Sequence, residues 1–208
     1  MSFVPVKEAI ARIRDGGMVI ICDDEGRENE GDLVIAAEFA DTAAINFCAA
    51  HGRGLICCAL APEILDRLEL PLMVPQEENR SGFGTAFTVS VEAREGVTTG
   101  ISAADRARTV EVLIDPEAKP DDLVKPGHMF PLRARNDGVL ERGGQTEASV
   151  DLVRLAELRP GAVICEVMNS DGTMARRDDL MEFSKTHGIP MVTVAAIREH
   201  RLALRKAA

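Results

Sequence analysis

The sequence predicts a single α/β domain of α+β character, a mixed β-sheet covered by helices, over residues 1–208. Apolar strand-like runs alternate along the whole chain with stretches of helical periodicity. No repeat, low-complexity segment or clear linker divides them, and 46% hydrophobic residues over this length suffice for one substantial core.

Residues 5–14 form the first helix, with Pro5 at its start and Gly16-Gly17 ending it. The apolar runs at 18–22 and 33–37 are buried strands on either side of a charged loop. Asp41 caps a helix through Ala50 that Gly52 closes. Residues 55–60 read as a buried strand, and 62–70 as a short helix with Ile64, Leu65 and Leu68 on one face. Residues 71–84 are irregular, and alternation over 85–92 predicts a strand. Ser102 and Asp105 suggest a capping box opening a helix to about Ile114, followed by a Pro/Asp-rich loop over 115–127. A strand at 129–135, a helix at 146–158 and a strand at 162–168 come next. A helix at 177–187, a strand at 191–194 and a charged helix at 195–206 complete the chain.

A net charge of −10 without a Lys/Arg-rich tract argues against nucleic acid and anionic membrane as partners. The absence of Trp and Tyr removes the usual base-stacking platforms. No apolar run reaches membrane-spanning length and no leader peptide is evident, so the expectation is a cytoplasmic protein. The five cysteines form no CxxC pair and fit buried free thiols in a reducing compartment, with adjacent Cys57 and Cys58 on opposite faces of a strand.

The densest chemistry lies in DDEGRENEGD at 23–32, where six carboxylates and one arginine sit between two buried strands. Such a loop repels itself unless a cation joins it. Oxygen donors at this density suit a hard ion such as Mg²⁺, and Arg27 suits a phosphate or carboxylate. An EF-hand is excluded, because counting from Asp23 puts Arg27 and Glu28 where an oxygen ligand and a glycine are required. RGGQTE at 142–147 precedes a helix, so its backbone N–H groups, Arg142 and Thr146 could serve a phosphate; an ordinary turn and N-cap reads equally well. GVTTGISAADR at 96–106 is a second glycine and hydroxyl loop, while the GxG in RSGFGTAF is a weak nucleotide signal. His128, between a Pro-Gly turn and an apolar strand, is the best acid/base candidate among four histidines. Glu166, inside an apolar strand, needs a partner or a raised pKa.

Together DDEGRENEGD, HGRGLIC, EGVTTGISAADR, KPGHMFPLRA, RGGQTEASVDL and CEVMNSDGTMAR resemble, in order and spacing, the 3,4-dihydroxy-2-butanone 4-phosphate synthase family over residues 5–200. The resemblance implies conversion of D-ribulose 5-phosphate to L-3,4-dihydroxy-2-butanone 4-phosphate and formate in riboflavin biosynthesis, with Mg²⁺ or Mn²⁺. It implies a homodimer with active sites near the subunit interface, and no GTP cyclohydrolase II domain. It makes Glu28 a metal ligand and His128 and Glu166 catalytic. It assigns substrate contacts to Arg27, Glu28, Asp32, Arg142, Gly143, Gly144, Gln145, Thr146 and Glu166. The family pattern carries a metal-ligating histidine where this chain has Gln145, so Gln145 stands at the second metal position. A neutral amide binds transition metals less well than imidazole and shuttles no proton. The alternative is therefore an impaired or repurposed relative that binds a sugar phosphate.

Overall fold

A computed structural model describes residues 3–207 as one mixed sheet between two helical layers. The strands are β1 (Val19–Cys22), β2 (Gly31–Ala36), β3 (Cys57–Leu60), β4 (Val91–Ala93), β5 (Leu123–Arg133), β6 (Gly161–Glu166) and β7 (Met191–Thr193). Their order across the sheet is β4-β5-β3-β6-β2-β1-β7. The β1/β7 and β3/β5 pairs are parallel, and β1/β2, β2/β6, β3/β6 and β4/β5 are antiparallel.

Strand periodicity sorts neighbouring side chains into two cores. Ile20, Leu33, Ile35 and Cys58 face one side, with residues of α2 (Thr42–Phe47), α3 (Pro62–Arg67), α4 (Ala103–Ile114) and α6 (Arg177–His187). Ile21, Val34, Ala36 and Cys57 face the other, with α1 (Val6–Arg14), α5 (Gln145–Leu155) and α7 (Val194–Ala207). Cys57 and Cys58 thus part to opposite faces as their adjacency requires, and all five cysteines are free and buried. No helix among the described residues is long and apolar enough to cross a membrane.

Local chemistry sets the helix ends. The Asp41 carboxylate accepts from Ala44 N at 2.8 Å and starts α2. A wider turn over Cys48–Gly52 carries that helix to Arg53. Ser102 caps α4 by accepting from Asp105 N at 3.0 Å. The expected box does not close, because the Asp105 carboxylate instead accepts from Thr98 N, Thr98 Oγ1 and Gly100 N and ties down the preceding loop. Helix α5 is buried nearly all round, and its acidic residues are paired with arginines from outside it. Glu147 pairs with Arg142 at 2.5 Å, and Asp151 with Arg201 at 2.8 Å. Ser149 Oγ donates to Gln145 O at 2.7 Å.

Two further expectations fail. Residues 85–90 are not a regular strand: Phe87 and Thr88 make isolated bridges to Leu132 and Leu72, and only Val91–Ala93 joins the sheet. Backbone bonds from this segment are split between two neighbours. Thr88 N donates to Pro131 O and Ala86 O accepts from Arg133 N, while Phe87 O accepts from Met73 N and Val89 N donates to Pro71 O. The Thr88 hydroxyl also donates to Pro131 O at 3.0 Å. Strand β5 also begins at Leu123, inside the segment expected to be a loop, because Leu123 and Val124 pair with Ala93 and Glu92.

Candidate functional site

Antiparallel pairing of β2 with β6 sets Asp32 opposite Glu166. Directly opposed residues share a sheet face, here the face on which Cys57, Ile164 and α5 pack. Leu55 N donates to Glu166 Oε2 at 2.9 Å and fixes that carboxylate. Gly54 allows the close approach, since a Cβ there would stand 2.5 Å from Glu166 Oε2 and 2.6 Å from its carbonyl oxygen.

The acidic loop is organised by Asp23, a residue to which sequence reasoning gave no role of its own. Its carboxylate accepts from Glu28 N at 3.0 Å, Glu30 N at 2.9 Å and Arg27 Nη1 at 2.8 Å. From outside, Arg176 Nη1 donates to the carbonyls of Glu28 and Asn29, each at 2.6 Å, where Asn29 turns at φ 54°. Arg176 also escaped the sequence reading: it lies in CEVMNSDGTMAR, but nothing local says that its side chain reaches back across the fold.

Arg27 joins this loop to the start of α5. Its Nη1 donates to Gln145 Oε1 at 2.8 Å and lies 2.9 Å from Glu28 Oε2, while its guanidinium sits 4.8 Å from the Phe83 ring centroid. Arg142 is tied as firmly. Besides Glu147, it donates to Phe83 O at 3.1 Å and Thr85 Oγ1 at 3.2 Å. Gly144 occupies the α5 N-cap without a side-chain cap, which leaves first-turn N–H groups for an anion. A Cβ on Gly144 would meet Arg142 Nη1 at 2.3 Å and Arg27 Nη2 at 3.1 Å, whereas a Cβ on Gly143 would meet nothing within 4 Å.

One cleft of ≈ 180 Å³ is lined by Arg27, Arg142, Gln145 and Thr146 together with Glu28, Glu30, Asp32 and Glu166. Other clefts are larger, including one of ≈ 270 Å³ beside Arg133 and Arg135 and one of ≈ 340 Å³ on the other side of the acidic loop lined by Asp23, Asp24, Glu25 and Glu30, but neither is lined by Arg142, Gln145 or Thr146 at the start of α5. Burial pushes the Asp32 carboxyl well above the ordinary 3.8, and the charges of Glu166, Glu28, Glu30 and Asp23 push it further. Glu166 is raised by burial and then by Glu28. Glu30 is raised by burial and then by Glu28, with Arg176 opposing. Cys57 also lines the cleft, and burial with the charges of Glu166 and Asp32 keeps its thiol protonated.

The donor chemistry decides which cation could fit. Among the described residues no three His, Cys, Asp or Glu side chains converge closely enough to enclose an ion. Carboxylate oxygens in an open, negatively charged cleft suit Mg²⁺, which keeps several waters and takes one or two carboxylates plus ligand oxygens. They do not suit a closed zinc site.

Among the expected site side chains His128 is the exception, since it does not line this cleft. It sits at the outer side of the sheet on β5, where Nδ1 contacts Glu92 of β4 and the imidazole is 47% exposed. The physical reason is register: Phe130 pairs with Cys57 of β3, so His128 lies one strand beyond Leu55 and turns toward β4. A Cβ on Gly100 would overlap Glu92, so the Thr98 loop belongs to this second cluster as well.

Residues 7–200 match the family described as 3,4-dihydroxy-2-butanone 4-phosphate synthase. The chain is 57% identical over 203 residues to the riboflavin biosynthesis protein RibBA of Aquifex aeolicus, covering 97% of this chain and 50% of that protein. It spans about half the length of several such relatives. The 3,4-dihydroxy-2-butanone 4-phosphate synthase of Cronobacter sakazakii, 48% identical, is matched over 100% of this chain and 94% of its own length. A solved structure described as 3,4-dihydroxy-2-butanone 4-phosphate synthase in complex with two magnesium ions superposes with a TM-score of 0.90. That match is at 41% identity and covers 95% of this chain and 96% of that one.

Two consequences are measurable. Gly144→Ala is expected to cost about 1–3 kcal/mol in urea unfolding because two guanidiniums must move, while Gly143→Ala stays within about 0.5 kcal/mol. The raised Asp32 carboxyl holds a proton in the folded state that the unfolded chain has released. Its contribution to stability is therefore greatest at low pH and is lost as pH rises above 3.8 through the raised value. In chelator, Asp32→Asn is expected to melt above the parent at about pH 8, with the gap closing toward about pH 5. A variant melting below the parent at the higher pH would show that the Asp32 charge is already compensated.

Proposed function

The chain belongs to the 3,4-dihydroxy-2-butanone 4-phosphate synthase family, and from that premise we propose that it converts D-ribulose 5-phosphate to L-3,4-dihydroxy-2-butanone 4-phosphate and formate for riboflavin synthesis. One observation carries the reading. A single cleft joins the anion-binding groups of Arg27, Arg142 and the start of α5 to four carboxylates, two of them opposed across β2 and β6.

The reaction requires repeated enolisation, loss of the C1 hydroxyl, a carbon-skeleton shift and release of C4 as formate. Arg27, Arg142, Thr146 and the α5 N–H groups bind the phosphate and fix the sugar's direction. A Mg²⁺ or Mn²⁺ ion held by Glu28 would supply positive charge for the oxygens that become anionic beside each carbonyl. Glu166, raised by burial and oriented by Leu55 N, is placed to take and return protons. Asp32, more deeply buried and pushed well above its ordinary value by burial and by Glu166, stands opposite it as the second candidate for proton transfer.

His128 enters this scheme from a second copy. Its exposed imidazole stands outside its own cleft, and Leu55 and Ile101 expose 44% and 53% of their surfaces to be covered. A homodimer that covers these side chains and brings His128 over the neighbouring cleft accounts for both facts. Buried free thiols and the family's reaction fit a cytoplasmic enzyme.

The test is formate release from ribulose 5-phosphate with Mg²⁺ or Mn²⁺. The parent is expected to turn over, and Glu166→Gln and His128→Ala to fall by about 10²-fold or more with their melting temperatures kept. Mixing Glu166→Gln with His128→Ala is expected to restore part of the activity, because one composite site in the mixed dimer is intact. Binding of ribulose 5-phosphate without formate at any metal concentration would instead support the repurposed relative.

A further inference from the structure

Gln145 stands at the first turn of α5, 5% exposed, with its two amide ends in different circumstances. Oε1 accepts from Arg27 Nη1 at 2.8 Å. Nε2 is buried without a hydrogen-bond partner. Turning the amide over does not remove the orphan, since it would set N–H₂ against an Arg27 N–H, donor to donor. The orientation is therefore fixed by Arg27, which is itself held by Asp23, Glu28 and the Phe83 ring.

Protein neighbours do not satisfy Nε2, and buried donors in native proteins rarely stay unpaired. The residue lines the cleft beside Thr146 and Arg142, at the end where an anionic ligand's oxygens would lie. An amide N–H₂ carries no lone pair for a cation, and the amide oxygen is already committed to a guanidinium.

We propose that Gln145 is a two-ended hydrogen-bonding residue: its carbonyl holds Arg27 over the cleft, and its N–H₂ donates to an oxygen of the bound sugar phosphate, so that it acts on the substrate rather than on the cation. This deepens the reading given above and rests on it. The cation is then held by carboxylates, with Glu28 foremost, and by ligand oxygens. The substrate gains a donor whose charge does not change with pH.

Calorimetry separates the two roles. Ribulose 5-phosphate is titrated in chelator, and Mg²⁺ is titrated alone, into the parent, Gln145→Met and Gln145→Glu, each checked by thermal melting. Gln145→Met is expected to weaken metal-free ribulose 5-phosphate binding by about tenfold, the size of one hydrogen bond to a charged or strongly polar oxygen, and to leave Mg²⁺ affinity within about twofold. Gln145→Glu keeps an acceptor for Arg27, loses the donor and adds a charge. It is expected to weaken the sugar phosphate at least as much while tightening Mg²⁺. If Gln145→Met loses Mg²⁺ affinity as much as sugar-phosphate affinity, the residue is a metal ligand and the proposal falls. Unchanged sugar-phosphate binding in both variants, with formate still produced by the parent, overturns the proposal alone. A parent that neither binds ribulose 5-phosphate nor yields formate overturns the functional reading beneath it.

Discussion

The site depends on one buried carboxylate. Asp23 takes two backbone N–H groups and the Arg27 guanidinium, and only 1% of its side chain is exposed. Without that hub the loop between β1 and β2 would be a row of repelling acids free to splay into water. With it, the chain turns tightly enough to set Glu28 and Arg27 against the start of α5, which follows more than a hundred residues later. The flanking strands hold the turn in place. Cys22 pairs with Gly31 in the antiparallel register, so both ends of the loop are anchored in the sheet.

The carboxylates gathered beside Arg27 are not neutralised by it. Arg27 commits its nearest contacts to Asp23, Glu28 and Gln145, and Arg142 commits one to Glu147. Yet burial, and with it the charge of Glu28, still pushes Glu30, Asp32 and Glu166 above their ordinary values, with Glu166 also pushing Asp32 and Glu30. Such an arrangement costs stability, and it persists because the two cores on either face of the sheet hold the strands in place. A divalent cation would relieve that stored repulsion, and its binding would then be linked to folding through these groups.

Legibility in the sequence followed the range of the interactions. Strands and helices set by periodicity and caps were readable, as α1, α2 and the opposed faces of Cys57 and Cys58 attest. The segment 85–90 was not, because alternation describes side-chain direction but not how backbone partners are arranged, and here they are shared between Pro71–Met73 on one side and Pro131–Arg133 on the other as isolated bridges rather than one continuous ladder. Arg27, Glu28, Asp32, Arg142, Gln145, Thr146 and Glu166 were identified from local composition and a motif resemblance, and the fold gathers them in one cleft. Asp23 and Arg176 act through backbone groups distant in sequence or hidden inside the loop, and composition carries no signal for that. Gly54 and Gly144 were visible only as glycines; that one admits Glu166 and the other two guanidiniums is a property of packing.

The displacement of His128 follows from sheet order. Strand β3 stands between β6, which carries Glu166, and β5, which carries His128, and the pairing of Cys57 with Phe130 leaves the imidazole on the far side of Leu55. The contact with Glu92 then turns it outward, beside the loop that Asp105 has organised. A rotamer change alone would have to break that contact and reach past Leu55, whose own N–H holds Glu166. Docking of the proposed second copy against the exposed Leu55 and Ile101 would ask for no such rearrangement: each chain would keep its Glu92 contact, and its imidazole already faces outward, where another molecule's cleft could meet it.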